Sequence, residues 1–246
     1  MSLASDRAAY RLRDQYDQDV LGYLCGFEQS AKHGNADSLR TTSPGTNAVA
    51  SAGSNELLSS MVLNKGSFSQ ITTGSAGDHS IPLATRLPGA TSLPNDVVSP
   101  LQVISRMGRL LDQQFVDKAD RWLVVDSVFL ELLRDEDSRL VNSDYGGSGL
   151  QNGLVINNLH GFKVYSSNNL PTVGGGPATG GKSNQNTDFG VIVGGHGSAV
   201  ATAQQVSKTE SYRDPDSFAD IVRGMHLYGR KILRPEAIVT ANFNVA

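Results

Sequence analysis

One cysteine, Cys25, is all the chain carries, so no internal disulfide can form and no thiolate cluster can hold zinc. Charge is scarce as well. Asp, Glu, Lys and Arg make up 18% of the 246 residues, and the net charge is −3. A dedicated nucleic-acid binder displaces counterions with a basic stripe, so this balance excludes that class and leaves loose, local contacts with nucleic acid. Nowhere do apolar residues run for the roughly 20 positions that span a bilayer. Residues 1–16 are rich in charge where a signal peptide would be apolar. Aromatics are few, 7% with a single tryptophan, while glycines number 26. Much of the surface is therefore neutral and polar, which suits close packing against neighbours and equally fits a loop-rich monomer.

What is present divides the chain into stretches of different character. Over residues 3–31 the apolar positions Leu12, Tyr16, Val20, Tyr23 or Leu24, and Phe27 recur every three or four residues, which predicts a helix with one buried stripe. It would be about 40 Å long at about 1.5 Å per residue and would stop near Gly34. Residues 41–98 turn to Ser, Thr, Gly, Ala and Pro and predict loops, with short ordered elements at 57–63 and 68–72. Ser99 and Pro100 then form a helix start, an N-cap residue ahead of a proline; Leu101, Ile104, Met107, Leu110 and Leu111 form the buried face.

Residues 121–125 read as an apolar strand with Trp122 as its core anchor, and Asp126 or Ser127 caps a helix over 128–133. Residues 162–166 alternate like a half-buried strand, 190–193 are a short apolar run, and the glycine-rich 173–187 form a surface loop. Further strands are predicted at 203–210, 220–228, 231–233 and 237–241, broken at Asp214-Pro215, Gly229 and Arg234-Pro235 and joined as an antiparallel meander. Helix, strand, helix in this order is an α/β or α+β pattern and not that of an all-β sandwich.

Candidate chemistry is thin. Residues 176–183 match a phosphate loop, with Lys182 to neutralise phosphates and Ser183 to hold magnesium, yet the motif needs a strand before it and a helix after it. Polar loop residues stand on both sides. The run Gly195-His196-Gly197-Ser198-Ala199-Val200 resembles a dinucleotide turn whose third glycine is missing, and reads better as a close-packed corner. His33, His79, His160, His196 and His226 occur singly, so no nucleophile has an evident base. The acidic residues Asp135, Glu136, Asp137 and Asp144 lack the spacing of a calcium loop and read as a solvated helix end. No catalytic, cofactor-binding or metal-ligating residue is assigned, no cofactor is expected, and the chain reads as a structural protein and not an enzyme.

The order of the motifs carries more. Residues 121–125, a short helix ending at Leu132-Leu133, Asn152-Gly153 and the run 161–171 are followed by Glu210, Arg213-Asp214-Pro215, Phe218, residues 222–229 and Arg234-Pro235-Glu236. This succession resembles the major capsid proteins of tailed bacteriophages with the HK97-type fold, nearest the podophage coat group. The resemblance covers about 6–240, with 41–96 and 173–187 matching poorly. It implies an α+β HK97-like fold, with a long spine helix and antiparallel sheet in a peripheral domain and a mixed α/β axial domain. The expected divisions are 1–40 for the spine helix, 41–98 for the loop-rich segment, 99–203 mostly for the axial domain and 204–246 for peripheral strands. The implied function is an icosahedral shell built from hexamers and pentamers of the chain in the virion and assembled in host cytoplasm. Scaffolding, portal or decoration proteins are its further partners, contact with packaged DNA is loose, and no membrane is involved. Two other readings compete: an encapsulin-like nanocompartment shell of the same fold, and a nucleotide-binding enzyme resting on Lys182 and Ser183. In such capsid proteins an arm and an extended hairpin precede the spine helix, so the native polypeptide is expected to extend N-terminal to Met1.

Overall fold

The computed structural model describes residues 2–25, 57–63, 65–69, 81–84, 97–134, 154–170, 172–173, 189–213 and 220–245. The N-terminal stripe forms helix α1, Ser2–Leu24. Leu12, Tyr16, Val20 and Tyr23 are half-buried along it, and Leu24 is buried. Its 23 residues make it about 35 Å long, shorter than the span 3–31 predicts. Cys25 already stands in a turn, its N–H on the Leu21 carbonyl at 3.0 Å, and Phe27 and Gly34 lie outside the described residues.

Most of the core surrounds one mixed sheet, which has eight strands among the described residues. They are β1 (Val62–Leu63), β2 (Ile81–Leu83), β3 (Arg121–Val125), β4 (Leu154–Leu159), β5 (Phe162–Ser166), β6 (Thr172–Val173), β7 (Phe189–His196) and a C-terminal strand, Ile238–Val245. The C-terminal strand lies between β7, antiparallel to it, and the short β1 and β2, which run parallel to it end to end. β3 follows on the far side of β7, then β5 parallel to β3, and β4 closes the edge. A tight turn joins β4 to β5. His160 and Gly161 take φ of 51° and 87°, and Asn158 Oδ1 accepts the Gly161 N–H at 3.1 Å.

Two helices flank β3 in the chain. Helix α2, Pro100–Gln113, starts as predicted, with extended Ser99 ahead of Pro100, although the Ser99 hydroxyl makes no capping bond. Its buried line is Val103, Ile104, Met107, Gly108 and Leu111, whereas Leu101 and Leu110 are only half-buried. The stripe is rotated because the Phe162 ring comes close over Gly108, where a Cβ would sit 3.5 Å from it. Helix α3, Ser127–Arg134, is capped by Asp126, whose Oδ1 accepts the Phe129 N–H at 2.7 Å. Phe129 is fully buried edge-on against Phe243, ring centres 5.3 Å apart.

Two long strands stand apart from this sheet: β8 (Val200–Arg213) and β9 (Asp220–Ile232) pair, among the described residues, only with each other and pack on α1. The expected meander is therefore corrected. β9 runs unbroken through Gly229, and the last strand, now β10, leaves the hairpin for the large sheet. Leu233 and Arg234 both donate to the Ala199 carbonyl, and the turn Pro235–Ala237 swings the chain across to β7. Of the element predicted at 68–72, Phe68 is buried just past a 3-10 turn, Lys65–Ser67, and 70–72 lie outside the described residues.

Trp122 also needs correction. In β3 it is Arg121, Leu123 and Val125 that are buried, while Trp122 and Val124 are half-buried. The Arg121 guanidinium turns inward because three oxygens meet it: Asp112 Oδ1 and the Asp117 carbonyl, each at 2.7 Å, and the Val116 carbonyl at 2.5 Å. Trp122→Ala is accordingly expected to cost about 2 kcal/mol, less than the roughly 3–5 of a fully buried ring. Urea unfolding would measure it, and a loss above about 3 kcal/mol would place the indole deep in the core.

Candidate functional site

The phosphate-loop match with Lys182 and Ser183 lies outside the described residues, as do His33, His79, Asp135, Glu136, Asp137 and Asp144. The run 195–200 is described. Gly195 and His196 end β7, Gly197–Ala199 is one 3-10 turn, and β8 begins at Val200. A dinucleotide turn needs a helix behind it to aim N–H groups at a pyrophosphate; here a strand follows. Gly195 serves close packing instead, since a Cβ there would lie 2.7 Å from the Ala237 carbonyl oxygen. The same turn brings His196 Nδ1 within 2.8 Å of Ser198 Oγ, a pairing that isolated histidines in the sequence do not reveal. That nitrogen also accepts the Ser198 N–H at 3.2 Å, and Ser198 is exposed, so the pair caps the turn. His160 belongs to the β4–β5 turn, and Cys25 is fully buried. Among the described residues no group of three or more His, Cys, Asp or Glu could hold a metal ion.

A buried ion pair stands where α1 meets β9. Asp19 on α1, 8% exposed, forms an ion pair with Arg230 and accepts the Tyr228 hydroxyl at 2.7 Å on Oδ2. Arg230 also donates to the Asp19 carbonyl and lies over the Tyr23 ring, 4.7 Å from its centre. Tyr16 meets the Tyr228 ring edge-on at 4.7 Å and the His226 ring at 5.2 Å. Burial, then the hydrogen bond and charge of Asp19, push Tyr228 up to about 12. Further along α1, Asn169 Nδ2 donates to Asp14 Oδ1 at 2.9 Å, tying the helix to the loop after β5.

Strand periodicity decides what this junction presents outward. His226, Tyr228 and Arg230 face α1 and are half-buried, while Met225 and Leu227, at the alternate positions, are 59% and 52% exposed. At about 3.3 Å per residue the 13 residues of β9 extend about 43 Å. The junction thus fixes a long ribbon on a long helix and leaves apolar side chains on its outer face.

Residues 2–241 match a family model described as phage capsid protein. No curated protein matches the chain. Among solved structures it is similar to one from Mycobacterium phage Che8, with 28% identity over 67% of this chain and 53% of that one and a TM-score of 0.45. It is also similar to the capsid of cyanophage P-SCSP1u, at 19% identity, and to the mature capsid of bacteriophage PhiM1, at 18%. Each of these covers 59% of this chain and 46% of the other, with TM-scores of 0.42 and 0.41. The chain spans about half the length of these solved chains.

Proposed function

Because the chain belongs to the phage capsid protein family, whose model spans residues 2–241, we propose that it is the coat subunit of an icosahedral head shell with the HK97-type fold. The family match over nearly the whole chain is the observation that carries this reading. The architecture supports it: α1 with the β8–β9 hairpin corresponds to a peripheral domain, and the eight-stranded sheet with α2 and α3 to an axial domain. Its role is structural, assembled in host cytoplasm from hexamers and pentamers, with scaffolding and portal proteins as further partners. Heterologous contacts closing into rings give such tiling. The exposed Met225 and Leu227 are well placed to join one subunit to the next.

Virions purified from infected cells test the proposal. Negative-stain microscopy is expected to show shells of one diameter, with peptides of this chain dominating their mass spectrum. Shells in which the chain is a trace component would overturn it.

A further inference from the structure

Helix α2 carries two guanidinium groups one turn apart, Arg106 and Arg109, off the line of its buried residues. Together with Gln102 and Ser105 they wall a cleft of about 430 Å³ whose opposite side includes Ser67 and Ser69, at and just past the turn Lys65–Ser67. Arg106 is held in place by one bond, Nη2 to the Ser67 carbonyl at 2.9 Å. Its Nε is sealed from solvent with no partner among the described residues. Arg109 is exposed and makes no hydrogen bond or ion pair with a described residue. No carboxylate lines the cleft among the described residues.

Two cations within one helical turn, neither with a counter-ion among the described residues, repel each other and favour an anion that both can share. The guanidinium fork matches the oxygens of a phosphate. The Ser69 and Ser105 hydroxyls, one on each wall, add further donors, and a tetrahedral phosphate offers oxygens in several directions where a carboxylate's lie in one plane. We propose that this cleft is a phosphate site, taking inorganic phosphate or one phosphodiester of a nucleic acid. A single such contact is compatible with the net charge of −3, because it needs local positive charge and no basic stripe.

The test titrates the full chain at low salt with inorganic phosphate and, separately, with a short DNA duplex, followed by calorimetry. Arg109→Gln is the main variant, since Arg109 is exposed and its loss leaves the core untouched; Arg106→Lys keeps a charge but removes the fork. Saturable binding, weakened about tenfold by each substitution, is expected. Saturation by inorganic phosphate assigns the site to the free ion, and duplex binding that phosphate does not displace assigns it to the backbone diester. No saturable binding of either probe, binding unchanged in Arg109→Gln, or acetate bound as tightly as phosphate would each overturn the proposal.

Discussion

Asp19→Ala is expected to cost about 3–5 kcal/mol and to loosen the hairpin from the helix. The carboxylate is the counter-ion of Arg230, whose side chain is only 12% exposed, and it also accepts the Tyr228 hydroxyl. Removing it leaves a guanidinium in a half-dry site with a backbone carbonyl and the Tyr23 ring for company. A two-stranded ribbon is marginal on its own, so β8 and β9 depend on this contact for their alignment with α1. The raised pKa of Tyr228 fits the same picture. Its folded value lies above the usual 10, so its contribution is present below pH 10 and lost as pH rises towards about 12. At neutral pH the phenol is a donor to Asp19. Urea unfolding gives the size of the effect, and hydrogen exchange in β9 gives its location. The double replacement Asp19→Leu with Arg230→Met should recover most of the loss, because it removes both charges together. A single-variant loss below about 1 kcal/mol would mean that the pair is solvated and the ribbon is held by packing.

None of that junction could be seen in the sequence, since Tyr228 and Asp19 are 209 residues apart and nothing local marks either as the other's partner. Local devices were legible: the alternation in Phe162–Ser166, the start at Ser99-Pro100, and Asp126 as a cap. The first half of β10 was legible in the run predicted at 237–241, and the second half was missed for a physical reason. Its Asn242 and Asn244 are buried at 0% and 6% exposure and interrupt the apolar run that would announce a central strand. The strand is central because β7 lies on one side and β1 and β2 on the other, a pairing set by distant segments. Arg121 takes the buried position beside Trp122 because the loop Val116–Asp117 offers carbonyls that a guanidinium can satisfy. Arg106 and Arg109 had no signal at all, since two arginines at helical spacing read as an ordinary solvated face. The turn Lys65–Ser67 that makes them a cleft comes from elsewhere in the chain.

Asp126→Asn is expected to make the protein progressively more stable than the parent as pH rises. Asp126 is 1% exposed. One carboxylate oxygen caps α3, and the other is closed in without a partner among the described residues, beside Gly190 and the Phe243 ring. Burial pushes its pKa from 3.8 to about 6, against the pull of the Phe129 and Val128 N–H groups. The folded state therefore holds this proton more tightly than the unfolded chain. Its stabilising contribution is complete below pH 3.8 and is lost as pH rises through about 6. At about 1.4 kcal/mol for each tenfold change in proton affinity the full loss is about 3 kcal/mol, of which about 2 falls between about pH 4.5 and about pH 7.5. Asparagine keeps an oxygen for the Phe129 N–H and carries no charge to bury. Its amide remains short of a partner, which lowers the absolute gain by roughly 1–2 kcal/mol at every pH and leaves the slope untouched. The quantity to measure is thus the difference in unfolding free energy between variant and parent across that window, in which other titrating groups cancel. A difference that stays constant with pH would show that Asp126 is ionised in the folded protein at little cost, and that water or a neighbouring donor reaches its second oxygen.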